Sequence, residues 1–381
     1  LKVVTVYGFL ESAFGPQTRR AAAIAFASGR ILASGVRLFI AALAFSLVTG
    51  HAIEWTVVGC GLLAIAYTRV GGIRSVIWTD VLQGAVFVAA VVALLWSVTS
   101  GTGGASAVLD WGAAHAKTDI FQGSPFFTLS TSAGFGTALI GGFFLTLATH
   151  ATDHDMVQRL LTTRTGSAGA RALAVSGLFN FPLTLMFLFV GTGIAYQYAI
   201  PPGYDIAAQA PLLPIYALQE LSAGARGLVF AGLFAAAMSS LDSAICAIAT
   251  TWVVDIAVKP QGERADAAVS GRLRRASTLT GFLLIASALV MSNYHRYLQA
   301  AGSLPSLIEF ALSSMSILYG GLLGIFARGI LLRRPGSDAA AVLGARGGAG
   351  GRAQQSPAVS QLLHGISEPS VLSDAAGVDA P

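Results

Sequence analysis

The chain has 381 residues, of which 54% are hydrophobic and 11% charged, and carries a net charge of +5. Soluble domains hold roughly 25% charged residues, and a mean hydropathy of +0.70 places this chain in a bilayer. That argues against an ordinary enzyme, since no catalytic constellation lies outside the apolar runs, and no nucleic-acid motif accompanies the positive charge.

Crossing about 30 Å of hydrocarbon takes about 20 apolar residues in a helix. Runs of that kind stand at 21–49, 53–70, 76–99, 133–152, 170–198, 227–258, 272–292 and 304–332, which predicts eight transmembrane helices. Barrel strands of about ten residues would alternate polar with apolar. These runs are continuously apolar, so the expected fold class is an all-α membrane protein.

The first run follows an amphipathic segment, VVTVYGFLESAFGPQTRR, with no signal-peptide pattern, and the chain opens on Leu1, as a fragment of a longer protein would. Between the third and fourth runs, a loop at 101–131 has room for a short interfacial helix. The fourth run carries Gly134, Gly136, Gly141 and Gly142 ahead of Thr146, Thr149, His150 and Thr152. Glycines with hydroxyls suit an unwound, cavity-lining segment, or equally close packing between helices. A loop at 199–222 has Pro201, Pro202, Pro211 and Pro214 and an amphipathic piece near PLLPIYALQEL. From Pro335 the chain turns to Gly, Ala, Ser and Pro, predicting a membrane domain over 1–334 and a disordered tail over 335–381.

Basic residues gather in cytoplasmic loops, and here they alternate. Lys2, Arg19 and Arg20 precede the first run; Arg69 and Arg74, then Arg159, Arg164 and Arg171, then Lys259, Arg264, Arg272, Arg274 and Arg275 fill every second loop. The opposite loops hold only Lys117, Arg226 and Arg296. A multi-pass protein of the cell membrane with both chain ends in the cytoplasm is expected. Cys60 and Cys246 fall inside apolar runs and read as inert buried thiols.

The sixth run is the most informative. Ala236, Ser239, Ser240 and Ser243 recur at i, i+3, i+4 and i+7, which lines them up on one helix face with Asp242 on its flank. A carboxylate at mid-membrane costs roughly 2.5–3.5 kcal/mol on insertion scales and calls for a partner. A hard cation among oxygens would serve. The alternatives are small residues that merely permit tight helix packing, and an ion pair between Asp242 and Arg30 or Arg37, which lie seven apart on the first helix. In HATDHD, His150 and His154 with Asp153 and Asp155 resemble a metal site only superficially, for a zinc enzyme would need more organised ligands. Gln158 and Arg159 read as caps of a helix end, and Arg328 can snorkel to the interface.

GGIRSVIWTDVLQ at 71–83, TDHDMVQRLLTTRT at 152–165 and AAAMSSLDS at 235–243 with the following Asp255 and Ile256 resemble, in this order, the sodium:solute symporter family, which includes sodium–glucose, proline and sialic acid transporters. The resemblance covers about 1–342. It implies a leucine-transporter-type bundle of two inverted repeats of five helices, the first helix of each repeat broken, with the eight runs as core helices three to ten. It further implies a sodium site of the Ala236 carbonyl and the Ser239 and Ser240 hydroxyls. Asp80 matches an acidic position on the sodium exit path or at a second site, or is a carboxylate at a helix N-terminus. Ser243 matches a second-site hydroxyl, so Asp80, Asp242 and Ser243 form a possible second cation site, for sodium or a proton.

Thr149 and His150 align with pocket positions and depart from the aromatic residues common in sugar transporters. Glu309 falls close to a substrate-contacting position and would favour a cationic or hydroxyl-rich solute. The implied activity is symport by alternating access, with Na+ as coupling ion, a small organic solute and the lipid bilayer as partners, and no protein or nucleic-acid partner evident. A sensor module and a non-transporting fragment are the other readings.

Overall fold

The computed structural model describes residues 5–118, 134–199, 212–257, 265–300 and 319–330, with the backbone alone over 70–75 and 265–268. All of its regular structure is helical. Helix α1 (Gly8–Ala13) hands over at Gly15, whose φ of 126° suits only glycine, to α2 (Pro16–Thr49), with Pro16 in the first turn, where its missing N–H costs nothing. α2 ends on Gly50 in the left-handed region, its N–H returned to the Ser46 carbonyl.

Two of the expected helices are one. α3 runs unbroken from Ile53 to Gly101, through the stretch where a loop bearing Arg69 and Arg74 was expected. GGIRS holds two glycines, each costing about 1 kcal/mol in a helix, but no proline, so its sequence does not force the ladder to end. Short helices stand where the loop analysis placed them: α4 (Ala105–Ala114) and α8 (Leu212–Glu220).

The glycine-rich fourth run is also corrected. Gly136, Gly141 and Gly142 sit inside an intact α5 (Phe135–Thr152), and the chain breaks later, at Asp153, with φ −80° and ψ 115°. Asp153 accepts the Asp155 N–H at 2.9 Å and so caps α6 (His154–Leu161). A short carboxylate that satisfies an orphan donor ends a helix more effectively than glycines with helical torsions.

After α7 (Gly166–Gln197), with Pro182 inside it, comes α9 (Ala223–Thr251), which passes into a π-helical turn, Trp252–Ala257. α10 (Ala265–Ala300) and α11 (residues 319–330) complete the described chain. Among the described residues six helical stretches are long and apolar enough to cross a membrane, against the eight expected. The run at 53–70 has merged into α3, and most of 304–332, with Glu309, lies outside the described residues, as does the whole of the expected tail over 335–381.

The main core joins four helices: Leu38 and Phe39 of α2, Val57 and Ile65 of α3, Leu241 and Ile245 of α9, and Leu284 and Ala288 of α10. Glycine sets the spacing. A Cβ on Gly61 would fall 2.3 Å from the Ile285 side chain, and one on Gly281 would fall 2.1 Å from that of Ile65, so each isoleucine sits in a notch that a glycine of the facing helix leaves open. α5 and α7 instead expose Phe143, Phe144, Leu178 and Phe179, as helices facing lipid do.

Candidate functional site

The serine face of α9 packs against the middle of α3 and against α6. Ser239 Oγ donates to Asp80 Oδ1 at 2.5 Å, and Arg159 Nη2 lies 3.1 Å from Asp80 Oδ2. Asp80 is therefore no helix-terminal carboxylate; it stands inside α3, far from either end. Nor is Arg159 a cap: it is the counter-ion of Asp80. Gln158 Nε2 likewise leaves its own helix to reach the Ser243 carbonyl at 3.2 Å.

Asp242 is fully buried. Its Oδ1 accepts Thr68 Oγ1 at 3.2 Å, Tyr67 stands beside it, and its Oδ2 meets no hydrogen-bond donor among the described residues. The pairing of Asp242 with Arg30 or Arg37 does not occur. Arg30 bonds Asp153 at 3.1 Å and also pairs with Asp155, while Arg37 faces Arg30, Tyr319 and Asp153. Asp80 thus has Arg159 as its counter-ion, whereas Asp242 has no ion pair of its own among the described residues. Carboxylate and hydroxyl oxygens grouped in this way are what a hard cation needs.

The serines differ in what they have left to offer. Ser243 Oγ bonds back to the carbonyls of Ser239 and Ser240, at 3.0 and 3.3 Å, a common arrangement for a serine within a helix. Ala236, Ser239 and Ser240 are half-buried along one strip, and α9 is unbroken through Ala236, so that carbonyl belongs to the helical ladder. Thr149 and His150 turn onto their own helix, to the Leu145 and Thr146 carbonyls, both at 2.9 Å. Next to them an apolar cavity of about 580 Å³ separates α5 from α11, lined by Phe144, Leu145, Ala148, Tyr319 and Leu323.

No group of three or more His, Cys, Asp or Glu among the described residues could hold a metal ion. The Asp153 and Asp155 carboxylates are taken by Arg30, and neither nitrogen of the fully buried His154 has a hydrogen-bond partner among the described residues. Burial pushes His154 down to about 4, against a smaller opposing pull from Asp153, so its ring is neutral at physiological pH. Cys60 and Cys246 are both buried free thiols.

The family model for the sodium:solute symporter family matches residues 4–319. The chain belongs to that family. Among its relatives, the sodium/sialic acid symporter NanT of Aliivibrio fischeri is 28% identical over 355 residues, covering 89% of this chain and 66% of the relative. Sodium-coupled monocarboxylate transporter 1 of Homo sapiens is 26% identical over 338 residues, covering 87% and 53%. The chain thus spans between half and two thirds of the length of these relatives. A solved structure of a Na+-coupled sialic acid symporter, substrate-bound and outward-open, superposes with a TM-score of 0.73 at 23% identity, over 87% of this chain and 67% of that one, which establishes the fold. This member of the family is a multi-pass helical membrane protein, and the family is one of transporters rather than enzymes.

Sequence reasoning missed Arg159, Thr68 and Gln158 as partners of this cluster. Only one signal was available for Arg159, namely that an acidic residue within an apolar segment needs a counter-charge. Thr68 and Gln158 gave none, because their partners come from tertiary packing.

Proposed function

We propose that this protein is a symporter that uses the inward sodium gradient to carry a small organic solute across the cell membrane by alternating access. Sodium binds on α9 through the Ala236 carbonyl and the Ser239 and Ser240 hydroxyls, with Ser239 also in contact with Asp80. Asp80, Asp242 and Ser243 form a second cation locus, in which Arg159 already neutralises Asp80 and Asp242 has no ion pair of its own among the described residues. The observation that carries this reading is the Asp80 carboxylate hydrogen-bonded to Ser239 on the half-buried serine strip of α9, in a member of a family named for sodium coupling.

The bundle follows the leucine-transporter plan, over a membrane domain of 1–334 with a tail from 335. Thr149 and His150 stand at the solute pocket. The relatives' solutes, sialic acid and monocarboxylates, make small organic acids the class to screen first. Each charge moving inward gains about 2.3 kcal/mol per 100 mV, and coupling requires only that sodium favour one conformation. Equilibrium binding of radiolabelled sodium to the purified chain tests the site. Saturable binding that excess potassium does not displace, and that Ser239→Ala with Ser240→Ala abolishes, is expected; equal binding by wild type and variant refutes it.

A further inference from the structure

Residues 5–19 belong to none of these sites, yet they grip two places where the described chain departs from regular α-helix. The first is the α5–α6 break. There the Tyr7 hydroxyl donates to the Thr152 carbonyl at 3.2 Å, an acceptor that the break at Asp153 leaves without its helical donor. Tyr7 is fully buried against Phe26, His154 and Phe326. Burial, with Asp153 and Asp255 nearby, pushes its phenol well above the usual range, so it remains a donor.

The second is the π turn at the end of α9. Thr5 Oγ1 and Arg19 Nε both donate to Asp255 Oδ1, at 2.6 and 2.7 Å, and Arg19 Nη2 reaches the Val254 carbonyl at 3.1 Å. Glu11 pairs with the same guanidinium. A π turn disturbs the i to i−4 ladder and is a place where a helix bends at low cost. Phe9 and Phe14 extend the contact to α11, where a Cβ on Gly329 would meet both rings at 3.2 Å or little more.

We propose that residues 5–19 are a latch that closes this end of the bundle by fixing both bends, and that its release opens a route to the serine cluster past Cys246. Cys246 follows Ser239 by seven residues and Ser243 by three, so it continues the serine face toward the π turn. It is buried, with Asp242, Arg159 and Asp80 as its charged neighbours. The latch gives direction to the sodium-coupled reading and rests on it for that alone. Ion and latch act on the same helix, one at its middle and one at its end.

The native thiols report on this directly. In the full chain with Cys60→Ala, N-ethylmaleimide alkylates Cys246 only; with Cys246→Ala, it alkylates Cys60 only, in the four-helix core. Arg19→Gln with Asp255→Asn removes the Arg19–Asp255 pair together and leaves only the partly exposed Glu11 without its cation. The expected result is roughly tenfold faster alkylation of Cys246, about 1.4 kcal/mol in the opening equilibrium, with Cys60 unchanged. Equal acceleration of both thiols means general loosening and overturns the latch, as does an unchanged Cys246 rate. Tyr7→Phe, which deletes one hydrogen bond and keeps the ring, is the milder second variant; an increase of about threefold is expected, and no increase again overturns it. Slowing of Cys246 alkylation by sodium, lost in Ser239→Ala with Ser240→Ala, belongs to the sodium reading. Latch release accelerates with or without sodium, so either reading can fail alone.

Discussion

Two buried polar clusters sit within this bundle, and they are built to opposite ends. Around Arg30 the charges are closed: the guanidinium bonds Asp153 and Asp155, Tyr319 donates to Asp153, and the arginine and both carboxylates are almost wholly out of solvent. Around Asp80 they are open. Arg159 and Asp80 keep 32% and 18% of their side-chain surface, Ser239 and Ser240 are half-buried, and Asp242 has an oxygen to spare. A buried network joins helices, whereas a partly exposed one can be reached by something that comes and goes. Polar content alone does not separate the two, and each keeps unpartnered polar atoms among the described residues; what separates them is that the first is buried around a doubly paired arginine and the second is partly open to solvent.

Breaking the closed cluster has the largest expected effect. Arg30→Met leaves Asp153 and Asp155 buried without their cation and costs about 3–5 kcal/mol, seen as a lower melting temperature to the same extent in sodium and in potassium. If that loss is recovered by sodium alone, the two clusters are not separate.

A smaller effect is expected of His154, which belongs to the closed cluster and titrates. Its folded value of about 4 lies below the ordinary 6.5, so the unfolded chain binds the extra proton between them. Stability is therefore full above about pH 6.5 and falls as pH drops toward 4, by up to about 3 kcal/mol. His154→Gln flattens the melting temperature over that window. A slope unchanged by the substitution places the acid sensitivity elsewhere.

Removing the open cluster's internal cation is the mildest change. An ion pair this exposed contributes about 1 kcal/mol or less, so Arg159→Gln barely alters stability in potassium. It frees Asp80, however, and sodium affinity is expected to rise by a few-fold at low ionic strength. A fall in affinity would instead make Arg159 part of the ion's support.

The membrane spans, the serine strip on α9 and the acidic position of Asp80 were legible in the sequence, because each rests on composition or on helical period. The continuity of α3 was not. A glycine pair flanked by arginines reads as a loop, yet only proline or a cap enforces one. The break at Asp153 was hidden in the same way: glycines drew attention to the middle of α5, while a carboxylate able to cap the next helix decided where it ends. Pairings such as Arg159 with Asp80, and Arg30 with Asp153 and Asp155, depend on which helices meet. Thr149 and His150 keep their expected helix but bond to its own carbonyls, so their side chains add no geometric mark of a pocket.

The central claim is that the open cluster takes up sodium. Its most direct test is the melting temperature of the purified chain, titrated with sodium against potassium, for wild type and for Ser239→Ala with Ser240→Ala. A site occupied at a hundred times its dissociation constant adds about 2.7 kcal/mol. We expect a sodium-specific rise of several degrees in wild type that is absent from the variant. A wild-type melting temperature that sodium and potassium affect equally would contradict the account.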